Sequence, residues 1–131
     1  MILNIYKPQG PTSFSIVKDI RKITGEKKVG HGGTLDPFAE GVLIIGTGKD
    51  TKSLGVISDN DKTYCATIKL GTTTDTLDPE GVIINTKEVP TLKENQIRSV
   101  LLSFLGKTNQ IPPMFSAKRV NGQRLYKLAR K

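Results

Sequence analysis

The residues with the most chemical potential lie together in "GHGGTLDPFAEGVL", residues 30 to 43. This stretch holds the only histidine, His31, glycines at 30, 32, 33 and 41, and an aspartate, Asp36, followed by Pro37. An aspartate before proline has its backbone pushed towards extended conformations, and Gly32 and Gly33 lack side chains that would crowd an incoming molecule. A carboxylate held this way can take up a proton or stabilise a developing positive charge. The same residues also make an ordinary Asp-Pro turn, and local chemistry leaves both readings open. A histidine such as His31 can serve as an acid or base, or it can be a plain surface histidine.

Other chemistries fail on spacing. "GTGKDT" at 46 to 51 has Leu43 five places before Gly48 and Asp50 where a phosphate loop needs Ser or Thr, so it is no nucleotide loop. "TDTLDPEG" is rich in carboxylates, but with Gly81 at the sixth position of a calcium loop, Lys87 falls where the bidentate Glu belongs. Asp75, Asp78 and Glu80 therefore read as turn residues. One His and one Cys cannot build a structural zinc site. Cys65 reads as a strand residue rather than a nucleophile; alone, it forms no internal disulfide and fits a reducing cytoplasm.

The elements that must carry these residues can be read along the chain. "ILNIY" is an opening strand, and "KPQGPTS" a turn in which Pro8, Gly10 and Pro11 block regular structure. Ser13 is placed to cap a helix with Ile16, Val17, Ile20 and Ile23 on one face, Lys18, Arg21 and Lys22 elsewhere, and Gly25 as its stop. "VLIIGTG" reads as a buried strand, followed by a polar turn around Ser58 to Lys62. "YCATIKL" alternates, which predicts a strand with Tyr64, Ala66, Ile68 and Leu70 on one face. "GVIINT" is another strand. Thr91 and Glu94 make a capping box for a helix whose Ile97, Val100, Leu101, Phe104 and Leu105 form a buried stripe ended by Gly106. Asn121-Gly122 marks a two-residue hairpin between "SAKRV" and "QRLY". "LYKLARK" starts a helix that has no cap, and the chain is expected to be truncated there.

A chain of 131 residues suits one domain that buries roughly two thirds of its unfolded surface. The longest aliphatic run, Val42 to Ile45, is too short to cross a bilayer, and no basic-then-apolar segment at Met1 to Tyr6 suggests a secretory signal. Twenty Lys and Arg against twelve Asp and Glu give +8, with a pI near 9.7. That excess favours a polyanion, with nucleic acid first, over a basic but merely soluble domain. The tail adds Lys118, Arg119, Arg124, Lys127, Arg130 and Lys131 around Tyr126, a mixture suited to phosphate contacts and base stacking, or equally to a solvated surface.

Four segments in order, "KPQGPTS", "GHGGTLDPFAEGVLIIGTGKDTK", "DKTYCATIKLGTTTDTLDPEG" and "IPPMFSAKRVNGQRLYKLAR", closely resemble the N-terminal part of the bacterial TruB family of tRNA pseudouridine synthases. The resemblance implies an α+β fold, a mixed and mainly antiparallel sheet with flanking helices, in which residues 1–131 are the N-terminal portion of the catalytic domain; the rest of that domain and a C-terminal RNA-binding domain are absent from these 131 residues. It implies isomerisation of uridine 55 in the T-loop of tRNA, in the cytoplasm, without metal or organic cofactor and without membrane attachment.

Residue by residue, the resemblance makes Asp36 the catalytic aspartate, as nucleophile or as base at C2′. Tyr64 becomes the tyrosine against the target base, and His31 the residue contacting the RNA loop vacated by that base. It makes Lys7 and Pro8 structural support beneath the site. Lys118 stands one place earlier than the family's lysine and receives no specific contact. "GKDTK" has Asp50 where the family more often has alanine, and the arginine that pairs with the aspartate in the family is not among these residues. Guide-RNA-dependent relatives share "GTLDP" and are the alternative within the family. A non-catalytic RNA-binding fragment, or a structural fragment inactive without its other half, is the alternative outside it.

Overall fold

The computed structural model describes residues 1–116 and 118–129. The chain divides into two compact units, Met1–Cys65 and Ala66–Lys131, each described by itself.

The first unit is a three-stranded antiparallel sheet backed by a helix. Strand β1 (Ile2–Lys7) and β2 (Val29–His31) flank the central β3 (Gly41–Thr47) in the order β1-β3-β2. The register sets Leu3 against Ile45, Ile5 against Leu43, Lys7 against Gly41, Val29 against Thr47 and His31 against Ile45. Side chains alternate across a strand, so these residues share one face. Helix α1 (Ser13–Thr24) covers that face: Val17 packs with Val29, Leu43 and Ile45, and Ile16 and Ile20 with Leu3 and Ile5 close the core. Each fully buried aliphatic chain there contributes about 1.5–3 kcal/mol.

Helix α1 begins because Thr12, with extended backbone, places Oγ1 to accept from the Ser15 N–H at 3.1 Å. It ends at Gly25, whose φ of 68° is left-handed and whose N–H reaches the Arg21 carbonyl at 2.9 Å. The expected capping role of Ser13 is corrected: Ser13 is the first helical residue, and its hydroxyl is spent on the loop of Asp36. Ile23 is also not in the core, being 77% exposed, because the core face closes at Ile20.

On the opposite sheet face Gly30 and Gly46 pair, and Leu54 lies over them. A Cβ at Gly46 would stand 3.0 Å from Leu54 Cγ and 3.1 Å from the Asp50 carbonyl, so the glycine makes room for the chain returning from β3. That return is a 3-10 turn, Gly48–Ser53, running into the short helix α2 (Leu54–Ser58).

Among its described residues the second unit holds two hairpins and two helices. Strands β4 (Thr72–Thr74) and β5 (Ile83–Thr86) pair around a carboxylate-rich turn. Asp75 Oδ1 accepts from the Val82 N–H at 2.8 Å, and Asp78 Oδ1 accepts from Thr76 Oγ1 at 2.6 Å and the Glu80 N–H at 2.9 Å, which bears out their reading as turn residues. Helix α3 (Glu94–Leu102) is followed by the hairpin β6 (Arg119–Val120) and β7 (Gln123–Arg124), then α4 (Leu125–Ala129). Asn121 and Gly122 have φ of 49° and 78°, the left-handed pair that the Asn-Gly turn requires.

Three expectations about this region are corrected. The segment "YCATIKL" forms no strand: no described strand pairs with it, so its alternating faces have no ladder, and Tyr64, Ile68 and Leu70 are exposed. The start of α3 is set by Lys93, whose N–H donates to Gln96 Oε1 at 2.9 Å, rather than by Thr91 and Glu94; Glu94 is already the first helical residue. The stripe of α3 is not buried, because no described element covers it; Phe104 and Leu105 are 69% and 72% exposed. Arg130 and Lys131, and the side chains of Arg124, Tyr126 and Lys127, lie outside what is described. Among the described residues no helix is long and apolar enough to cross a membrane.

Candidate active site

The loop between β2 and β3 carries Asp36, and the N-terminal segment holds it from both sides. On the N-terminal side of Asp36, the buried Ser13 hydroxyl donates to the Leu35 carbonyl at 3.0 Å and accepts from the Leu35 N–H at 2.9 Å. On the C-terminal side, Lys7 is fully buried and its Nζ donates to the carbonyls of Pro8 at 2.9 Å, Pro37 at 3.4 Å and Ala39 at 2.6 Å. Three donors meet three carbonyls, so the ammonium is satisfied without a carboxylate. The Gly10 N–H adds a bond to Pro37 O at 2.8 Å, and the Asp36 carbonyl accepts from the Ala39 N–H at 3.1 Å. Lys7 can occupy the core because its strand position faces α1, opposite Gly41, which offers no side chain. Lys7, which the resemblance made structural support beneath the site together with Pro8, is here a donor to the loop that carries Asp36.

Beside the loop is a cleft of about 500 Å³, lined by Gly32, Gly33, Thr34 and Leu35 on one side, by Val42 and Ile44 of β3, and by residues 60–64. The last stretch is held by Lys62, whose Nζ donates to the carbonyls of Ser58 at 2.5 Å and Asn60 at 3.0 Å, across the C-terminal end of α2. Tyr64 stands at the edge with 68% of its surface exposed. The structure thus brings Tyr64 and the glycine stretch to one cleft. Asp36 is exposed, directly after the lining residue Leu35, and forms no ion pair among the described residues. His31 does not line the cleft: by strand alternation it shares the α1 face with Val29 and Ile45, and its buried Nδ1 has no hydrogen-bond partner among the described residues.

Two residues of this site were not legible in sequence. Ser13 looked like a cap, since a serine beside a threonine before a helical pattern gives no sign of which hydroxyl turns away. Glu40, in the cleft wall, holds the exposed Tyr6 phenol above the usual tyrosine value of 10.0, chiefly by hydrogen bonding to its carboxylate and then by the carboxylate's charge. A phenol raised in the folded state contributes stability that is present below the unfolded value and lost as pH rises through the folded one. In an ultraviolet difference titration, Glu40→Gln is expected to bring one tyrosine transition to lower pH, and Tyr6→Phe to remove that same transition. An unshifted titration in Glu40→Gln would refute the pairing.

Residues 21–131 match the family described as TruB family pseudouridylate synthase, N-terminal domain. The chain belongs to the TruB family. Over 129 residues this TruB-family chain is 52% identical to tRNA pseudouridine synthase B of Clostridium acetobutylicum, covering 98% of itself and 44% of that relative. It is 48% identical over 129 residues to the Thermotoga maritima protein of the same name, covering 98% and 41%, and 50% identical over 131 residues to that of Chlamydia felis, covering 98% and 55%. The TruB-family chain therefore spans about half the length of the relatives it matches. Among solved structures it is similar to a chain in the crystal structure of a Cbf5-Nop10-Gar1 complex, at 30% identity and a TM-score of 0.59 over 90% of itself and 30% of that chain. The α+β architecture expected from the family motifs is the one observed, with every strand pairing antiparallel among the described residues.

Proposed function

We propose that residues 1–131 are the N-terminal portion of the catalytic domain of a cytoplasmic tRNA pseudouridine synthase that isomerises uridine 55 in the T-arm. The observation that carries this reading is Asp36 on a loop fastened at both ends, next to a cleft with a glycine wall and a tyrosine at its edge. Relatives named tRNA pseudouridine synthase B at 48% to 52% identity support tRNA as the substrate and the stand-alone branch over the guide-RNA one.

The reaction is an internal rearrangement. The bond from uracil N1 to ribose C1′ breaks, the base turns, C5 bonds to C1′, N1 takes a proton and the C5 proton leaves. Asp36 acts either as the nucleophile on the sugar or base, or as the base at C2′; a nearby carboxylate also lowers the energy of an oxocarbenium-like sugar. Tyr64 offers an aromatic face to the extruded uracil, which offsets part of the few kcal/mol that unstacking costs. His31 lies on the α1 face and outside the cleft, and its assignment to the RNA loop, not to proton transfer, rests on the family resemblance alone. The +8 charge supplies phosphate attraction.

The test is a chimera in which these 131 residues replace the matching part of the Clostridium acetobutylicum relative, given a T-arm stem-loop with tritium at uridine C5. The chimera is expected to release label from position 55, whereas the 131-residue chain alone binds the stem-loop weakly, in a salt-sensitive way, with little release. A folded chimera that binds RNA without releasing label would reject the reading and leave a binding fragment.

A further inference from the structure

We infer that Ser13 is a positioning residue for Asp36, a role that rests on the function proposed above. Its hydroxyl is 2% exposed and makes both of its strong hydrogen bonds to a single residue, Leu35, donating to the carbonyl at 3.0 Å and accepting from the N–H at 2.9 Å. Two bonds to the two ends of one residue fix rotation as well as distance, because neither peptide flanking Leu35 can turn without stretching one of them. The second of those peptides joins Leu35 to Asp36, so its orientation sets the direction in which the Asp36 side chain leaves the backbone. The Lys7 ammonium and the Gly10 N–H hold only the far side, at Pro37 and Ala39. Without Ser13 the near side has no such hold, and the half-buried N–H and carbonyl of Leu35 each lose a partner.

The helix start does not depend on this hydroxyl. Thr12 caps α1 through Oγ1 to the Ser15 N–H, and Ser15 Oγ donates to the Thr12 carbonyl at 2.6 Å on the exposed side. Ser15 is thus a control on the same helical turn that does not touch the loop. Ser13 lies 22 residues from Leu35 and reaches no cleft residue but this one. Its effect is expected in the geometry of the reacting carboxylate and not in RNA affinity, since a displacement of about 1 Å can cost on the order of 100-fold in rate.

The experiment compares Ser13→Ala, Ser13→Thr and Ser15→Ala. Hydrogen exchange at the Leu35 amide is read in the 131-residue chain, and kcat, KM and stem-loop affinity are read in the chimera. Ser13→Ala is expected to speed Leu35 exchange about 10-fold or more, the equivalent of one net hydrogen bond. It should also lower kcat by roughly 10- to 100-fold while KM and RNA affinity stay within about twofold. Ser13→Thr should restore both, and Ser15→Ala should change neither. Unchanged Leu35 exchange, unchanged kcat, or an equal loss in Ser15→Ala would overturn the proposal. So would a kcat that stays low in Ser13→Thr while Leu35 protection returns. If the unsubstituted chimera releases no label, the functional reading fails on its own, and Leu35 exchange alone then decides whether the clasp exists.

Discussion

Asp36→Asn in the chimera is expected to leave stem-loop binding within about threefold and to lower tritium release by roughly a thousandfold or more, within the range attached to a lost acid-base or nucleophilic carboxylate. Asparagine matches aspartate in shape and follows the same backbone, and the loop's fastenings come from Ser13, Lys7 and Gly10, none of which uses the Asp36 side chain. An exposed side chain away from such contacts changes stability by less than about 0.5 kcal/mol. What disappears is the negative charge, and with it both candidate roles of the carboxylate. Because binding energy comes from many phosphate contacts, the loss should fall on kcat. Release within tenfold of the unsubstituted chimera would remove Asp36 from the chemistry.

The second large effect is expected at Lys7. Lys7→Ala deletes a buried four-carbon stem and strands the Ala39 carbonyl, while Pro37 keeps the Gly10 N–H, a combination worth about 3 kcal/mol. For a unit the size of Met1–Cys65 that corresponds to a thermal midpoint lower by roughly 10 °C or more. Lys7→Met separates two causes. It keeps the stem and sheds the cost of burying an ammonium, so its stability loss should be smaller, about 1 kcal/mol. The Ala39 carbonyl is still left without its donor, so exchange of the Ala39 amide should accelerate in both variants. A midpoint for Lys7→Ala within about 2 °C of the unsubstituted chain would mean that the buried ammonium contributes nothing net.

Both effects converge on five residues, Leu35 to Ala39, whose conformation depends on a segment that precedes them by more than 20 positions. Within this chain "KPQGPTS" supplies the donors and residues 35–39 the carbonyls. This pairing gives the buried lysine a reason to be a lysine. An aliphatic chain would fill the same space, but it could not bind the Pro37 and Ala39 carbonyls of a loop that has no strand partner.

Much of the chain could be read from local order. β1, the stop of α1 at Gly25, β3, β5, the Asn121-Gly122 hairpin and the turn role of Asp75 and Asp78 all follow from periodicity or turn chemistry that acts within a few residues. Where the structure departed, the deciding contact was absent from the local pattern. Alternation in "YCATIKL" states which side chains would share a face but does not provide a neighbouring strand. The apolar stripe of α3 likewise names a face without naming its cover.

The sequence by itself determined the family, through four motifs in order, and within it Asp36 as the residue to follow, because motif chemistry is written in residue type and spacing. Tertiary structure alone decided that Ser13 holds Leu35 across 22 positions, that Lys7 reaches Ala39 across 32, and that Tyr64 and Gly32 share a cleft. Those contacts depend on the register of β1 and β2 against β3 and on the angle at which α1 leaves Thr12. Such quantities are set by packing a whole face at once, and no window of neighbouring residues contains them.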